Sequence, residues 1–385
     1  HTHCMRCFIC LIQYVLAILM TSHAINADNI AVYFGTLKDG GIHYANFNSQ
    51  TGKLSQPRQV AALDNAGFIT IHPSGQYLYS TGAGQKELGH SSAFAFRIED
   101  DHSLSRINSR SSEGMGACHI SLDQSGETLL VANYGSNQSV AALKVNEDGS
   151  LNPSTSNHLH QGSGQHPHRQ KSPHPHSIIT NPSNTFAYAA DLGIDQVVIY
   201  ALDAQTATLT PASSAKVPGG SKGPRHMKFS EDGRFAYVLN ELSQEVVLYE
   251  TNTQTGALTY IDTASSLRDR TDLKGMTSSE IRIHPTGKYL YNANRDTKGR
   301  GRDSLSVFSI APSNGHLELI QVIPAGVSVP RNFNIDPSGQ WLLVGGQKSN
   351  NIATFKIDLN SGTLSQTEAL TLFDGSPTCI EFLLD

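Results

Sequence analysis

Seven leucines, Leu54, Leu104, Leu151, Leu209, Leu258, Leu317 and Leu364, each follow a polar or glycine-rich stretch, at intervals of 50, 47, 58, 49, 59 and 47 residues. A second marker runs between them: HPSG at 72–75, DQSG at 123–126, NPSN at 181–184, Asp232-Gly233, HPTG at 284–287 and DPSG at 336–339. A sevenfold marker is a repeat, and repeats are read before motifs. Each unit reads as four short strands. In one of them the first strand alternates through Met227 and Phe229, the second is FAYVL at 235–239, the third VVLYE at 246–250, and the fourth follows the leucine. Asp232-Gly233 suits the tight reversal between the first two. A four-stranded unit cannot bury both faces alone, so the copies must stack around an axis. The predicted fold is all-β, a seven-bladed β-propeller. An irregular sandwich would not predict a sevenfold marker.

Chain order predicts how the ring closes. The first leucine precedes the first inner-strand segment at 68–71, while the last segment is CIEFLLD at 379–385. The last blade therefore takes its inner strand from the C-terminal segment and its outer strands from residues 30–60. One propeller over 28–385 accounts for 385 residues better than the two or three domains that length alone suggests. Hydrophobic content of 38%, charged content of 16%, 33 glycines and 16 prolines suit a soluble, turn-rich protein. A net charge of -5 gives no electrostatic attraction to nucleic acid or anionic lipid.

The N-terminal segment departs from this pattern. From Met5 it reads one Arg, an apolar stretch from Cys7 to Met20, then the small residues Ser22 and Ala24. That is the layout of a signal peptide over 1–24, cleaved after Ala24 or alternatively Ala27, with residues 1–4 upstream of the start. The apolar stretch is short for a spanning helix. The expectation is an exported protein, periplasmic or secreted. After processing, Cys118 and Cys379 remain, which excludes a disulfide framework. One bridge is open to them, but free buried thiols are expected.

In a propeller the first residue of each innermost strand lies at one mouth of the central channel. Aligning the seven segments on the residue before Met227 gives Phe68, His119, His176, His226, Glu280, Asn332 and Cys379. The preceding column is Gly67, Cys118, Pro175, Arg225, Ser279, Arg331 and Thr378. Second strands return to the same mouth and end in Asn133-Tyr134, Asp191-Leu192, Asn240-Glu241, Asn294-Arg295 and Gly346-Gln347, with Lys348 next. Equivalent structural positions should be filled alike, and these are filled unevenly. An asymmetric polar cluster in a concave site is the expected active site. The plainer alternative is a hydrogen-bond network that satisfies strand ends.

At these residues the chain resembles the seven-bladed propeller lactonases, which include 6-phosphogluconolactonases and carboxymuconate cyclases. The similar stretches are RQKSPHPHS (169–177), DLGIDQV (191–197), GPRHMKF with YVLNEL, SEIRIHPTGKYLYNANR (279–295) and VPRNFNIDPSGQWLLVGGQKSNNI (329–352). The resemblance covers nearly all of the chain after the leader. It implies a metal-independent lactone hydrolase, or a lactone-forming enzyme, that needs no cofactor and acts on a small lactone or carboxylate. It implies a catalytic group of His176, Arg225, Glu241 and Arg331, with His174, His226, Glu280, Arg295, Gln347 and Lys348 binding substrate around it. The arginines suit a carboxylate or phosphate, and either Glu241 or His176 would activate water.

Two other readings compete. Six histidines, His158, His160, His166, His168, His174 and His176, fall within nineteen positions and could hold a metal. Their HxH spacing lacks the third ligand and acidic partner of catalytic zinc, so most of this loop is expected to be solvated, with His174 and His176 reaching the channel. A non-catalytic binding module would expose an aromatic or apolar patch. Aromatic content is only 7%, and Trp341 sits in a second strand where packing is the expected role. No GxSxG elbow is present for a serine nucleophile.

Overall fold

A computed structural model describes residues 29–384 apart from 38–39, 85–88, 136 and 374. The leader read in residues 1–24 lies outside them. The described chain is all-β and forms seven sheets, each a blade. Six blades use four consecutive strands, and the seventh is ordered β29 (Pro377–Phe382), β1 (Asn29–Thr36), β2 (Ile42–Asn48), β3 (Lys53–Leu54), with β4 (Arg58–Ala61) also paired to β2. Its inner strand β29 runs antiparallel to β1, with Gly35 opposite Cys379. This is the clasp expected from chain order. The leucine markers open or nearly open the outer strands at Leu258, Leu317 and Leu364. At Leu151 the outer strand starts later, at Ser156, because Pro153 cannot donate to a ladder.

In the six blades of consecutive strands the second strand is buried along its length, as in β18 (Phe235–Asn240), because both of its faces meet neighbouring blades. Interfaces between blades are pinned by hydroxyl donors. Tyr79, Tyr188, Tyr237 and Tyr291 reach the carbonyls of Gly149, Gly256, Gly315 and Gly362 in the following blade at 2.8–3.0 Å. Trp341 does the same through Nε1 to Ser49 O at 2.7 Å, across the seam to the closing blade. The turn glycines are required there. Gly149 has φ 82, and a Cβ on it would fall 2.3 Å from the Tyr77 ring.

The inner strands carry the feature that builds the site. Registers shift near the mouth in β13 (Pro175–Thr180), β17 (Pro224–Phe229), β21 (Met276–Ile283) and β25 (Pro330–Ile335). Pro224 pairs with Asn240 and His226 with Leu239, so Arg225 is a bulge residue with no partner of its own. A bulge re-aims a side chain. By the same register His176 is the bulge residue of β13, since Pro175 pairs with Asp191 and Ser177 with Ala190. This corrects the sequence alignment by one residue in that blade. His176 shares the column of Arg225 and Arg331, and Ser177 shares that of His226. The pairing residue before the bulge is a proline in all three strands, and aligning on it would have found the slip.

Candidate active site at the channel mouth

The bulges divide the predicted cluster between two depths. At the mouth lies a cleft of about 480 Å³ whose lining includes Cys118, Tyr134, Arg169, His176, Glu241, Arg295 and Arg331. Glu241 is its centre. Arg169 Nη2 donates to Oε1 at 2.8 Å, Arg225 Nε donates to Oε2 at 3.1 Å, and Arg295 Nη2 lies 3.5 Å from Oε2. Burial opposes ionisation of Glu241, but Arg295, Arg225 and Arg169 hold its pKa down to about 2. Burial pushes Arg295 down to about 9 and Arg331 to about 10, so both remain cations at neutral pH. Arg331 makes no ion pair among the described residues. Three guanidiniums thus meet one carboxylate and Arg331 adds a fourth cation, so the mouth carries uncompensated positive charge.

His176 completes the cleft. Burial, with Arg225, His226 and Arg331 adding, holds its pKa well below the ordinary value, so the ring is neutral at pH 7. Its Nδ1 is 3.7 Å from the Cys118 sulfur. Burial pushes the Cys118 thiol up to about 12, so it stays protonated and does not serve as a nucleophile. Both Cys118 and Cys379 are free; Cys379 is buried, and Cys118 is half-buried in the cleft.

His226 and Glu280, expected at the mouth, point instead to a separate cavity deeper in the channel. The physical reason is the pleat: beyond the bulge the next residue turns down the channel. Their link to the mouth is indirect. Arg225 Nη1 donates to His226 Nε2 at 3.1 Å, which fixes the proton of that ring on Nδ1, where it is donated to Glu280 Oε1 at 3.0 Å. Glu280 Oε2 accepts from Asn332 at 2.5 Å. Arg225 also donates to Ser279 O. Arg225, 2% exposed, is therefore clamped from above by Glu241 and from below by His226.

The remaining expected residues lie beside the cleft. Gln347 and Lys348 line an adjoining recess of about 570 Å³ that shares Leu37 and Arg295 with it. His174 stacks on Tyr134 with ring centres 4.5 Å apart and donates from Nδ1 to Tyr134 O at 2.7 Å. The histidine-rich loop is exposed or half-exposed over residues 161–169, as expected, but its start is tied down. His160 is buried, with Nδ1 2.6 Å from Asp191 Oδ2 and Nε2 2.8 Å from the Tyr200 hydroxyl, and His158 Nε2 donates to Leu209 O. Asp191 also accepts from the backbone of His174 and Gly193, and so anchors the loop that delivers Arg169. Among the described residues no group of three His, Cys, Asp or Glu side chains is placed to hold a metal ion.

Arg169 and Tyr134 are the site residues that sequence reading passed over. Arg169 Nη2 donates to the Tyr134 hydroxyl at 3.0 Å as well as to Glu241. Tyr134 was visible as a strand-two end. Arg169 sits in a loop, and no periodicity points to it.

A sequence model of the family described as "Lactonase, 7-bladed beta-propeller" matches residues 31–382. The chain belongs to this family. Among curated proteins it is 36% identical over 340 residues to the 6-phosphogluconolactonase of Formosa agariphila, covering 87% of this chain and 94% of the relative. It is 32% identical to the 6-phosphogluconolactonase of Bacillus subtilis, covering 91% and 97%. Among solved structures, the periplasmic gluconolactonase of Pseudomonas aeruginosa superposes with a TM-score of 0.84 at 29% identity, covering 92% and 99%. The family and these relatives support a lactone-hydrolysing carboxylic ester hydrolase.

Proposed function

We propose that this propeller hydrolyses a sugar-type lactone bearing a phosphate or carboxylate, at the mouth of its channel. The observation that carries the reading is the cleft itself, with three arginines on one buried carboxylate, a fourth arginine apart from it and a neutral imidazole beside them. An anionic substituent is recognised by guanidinium forks. Arg331, the cation without a carboxylate partner, is the first candidate to meet it, and Arg169 is the more exposed of the pair flanking Glu241.

In the proposed step His176 takes a proton from water as its oxygen adds to the ring carbonyl carbon. The oxyanion formed is stabilised by an adjacent guanidinium. Collapse breaks the bond to the ring oxygen, which takes the proton back from His176 and leaves a hydroxy acid. Glu241 is a poor candidate for the base. Its pKa near 2 makes it weakly basic, and both oxygens are occupied by arginines. Its role is to hold Arg169, Arg225 and Arg295 in place. A substrate anion would offset the charge of those arginines and raise the basicity of His176 when it is needed.

The names of the relatives point to gluconolactones with and without phosphate. The leader read in residues 1–24 favours an encounter outside the cytoplasm, where a pentose-phosphate intermediate is not expected. Acid release from gluconolactone, 6-phosphogluconolactone and muconolactone, corrected for spontaneous hydrolysis and repeated with chelator, tests the reading. Turnover above background that His176→Gln abolishes supports it. Absence of turnover on all three would shift the reading to a binding module.

A further inference from the structure

Beneath the mouth the channel is crossed by a septum of rings. His226 lies edge-on to His176, His119 and Phe68, with ring centres 5.5, 5.3 and 5.7 Å away. Below it is a second cavity of about 180 Å³, lined by Thr70, His119, Ser177, Lys228, Arg282 and Glu381 among others. It is smaller than the roughly 300–1,000 Å³ of pockets for drug-sized ligands, so it suits a small ion and not a sugar ring.

Its charges sum to zero as Lys228 and Arg282 against Glu280 and Glu381, but the pairing is uneven. Arg282 takes both carboxylates, at 3.8 Å to Glu280 and 3.2 Å to Glu381. Glu280 is further satisfied by His226, Asn332 and the Ile281 amide, and Glu381 by Asn334. Lys228 has neither an ion pair nor a hydrogen bond among the described residues. Ser177 is 1% exposed and its hydroxyl has no partner. His119 accepts the Ile178 amide at Nδ1, so its ring hydrogen sits on Nε2 as a further donor. Burial, with His226 and Lys228 adding, keeps that ring neutral. The walls therefore offer spare donors, while the carboxylate acceptors are already engaged. Of these donors only the Ser177 hydroxyl is a fully buried atom without a partner; Lys228 is half-buried.

The geometry points to this lower cavity as a binding site for a small anion, a carboxylate or inorganic oxyanion, held by Lys228, Ser177 and His119. Such an ion gives the Lys228 ammonium and the Ser177 hydroxyl a direct partner and fills the channel under the septum that supports Arg225. It is separate from the mouth and does not depend on the lactonase reading.

Crystals soaked in sodium bromide test it, because bromide is located by its anomalous signal. Peaks are expected at the mouth arginines and, independently, in the lower cavity within hydrogen-bond reach of Lys228 Nζ. The lower peak should vanish in Lys228→Met and weaken in Ser177→Ala, with the mouth peaks kept as an internal control. Formate should raise the Tm of the wild type more than that of Lys228→Met. Should Lys228→Met fail to fold, the wild-type and Ser177→Ala soaks decide by peak position. Bromide at the mouth alone, with water in the lower cavity or Lys228 turned onto Glu381, overturns the proposal.

Discussion

The mouth and the lower half of the channel are lined by the same inner strands, yet they handle charge in opposite ways. At the mouth Arg169, Arg225 and Arg295 converge on Glu241, and Arg331 stands apart. Below the septum Arg282 bridges Glu280 and Glu381, and positive and negative side chains match in number. The backbone explains the contrast. Bulge residues are freed from the ladder and can be aimed into one cleft, whereas the residues after them follow the pleat and face neighbours at fixed spacing. At the mouth, excess positive charge held in place by strands suits an anionic substituent on a substrate.

The largest effect is expected at the mouth. His176→Gln should lower kcat by about 10²–10⁴-fold, the usual contribution of a positioned acid–base group, with its melting temperature close to that of the wild type. A comparable kcat in the variant would remove His176 from the chemistry. Next comes the route from below: Glu280→Gln should lower kcat by roughly tenfold, about 1.4 kcal/mol, with KM little changed, because Glu280 touches Arg225 only through His226. A KM effect as large as that of Arg331→Gln would instead put Glu280 in contact with substrate and erase the division between the two halves.

The pH dependence sharpens the same contrast. His176 has its pKa depressed in the fold, so the acid limb of kcat/KM should have its midpoint below 6.5, the ordinary histidine value. Stability carries the matching sign. Below pH 6.5 the unfolded chain takes up protons that buried His176 refuses, so stability falls with pH. The contribution of Glu241 is complete above 4.5 and is lost as pH falls towards about 2. A stability curve flat from pH 7 to 4 would contradict the burial of these groups as charged and neutral partners. The smallest effect is away from the channel: Tyr237→Phe should cost about 1 kcal/mol by removing the donor to Gly315 O, measured by denaturant unfolding, with kcat unchanged.

The ring was legible because its spacing is written in the chain. The leucine markers repeat seven times and the turn markers six, and chain order forces β29 to close on β1. The mouth was legible in its residues but not in its depth. Periodicity assigns His226 and Arg225 to adjacent columns; it does not show that a bulge turns Arg225 up to Glu241 at the floor of the cleft while His226 turns beneath it. The equivalent bulge in β13 hid the true column of His176. Arg169 could not be found by periodicity at all, since its place depends on a loop tied down by Asp191, Gln170 and their partners. In the histidine-rich stretch polarity pointed to solvent, which holds for residues 161–169 but not for His160, whose partners Asp191 and Tyr200 come from the adjacent blade.

The most direct test compares kcat/KM for 6-phosphogluconolactone and unphosphorylated gluconolactone in the wild type and Arg331→Gln. Hydrogen bonds to charged groups contribute about 1.5–3 kcal/mol, so the wild type should favour the phosphorylated lactone by roughly tenfold or more. Arg331→Gln should abolish that preference while retaining turnover of the neutral lactone. Equal loss on both lactones, or a wild type indifferent to phosphate, would contradict the reading of the mouth as an anion-selecting lactonase site.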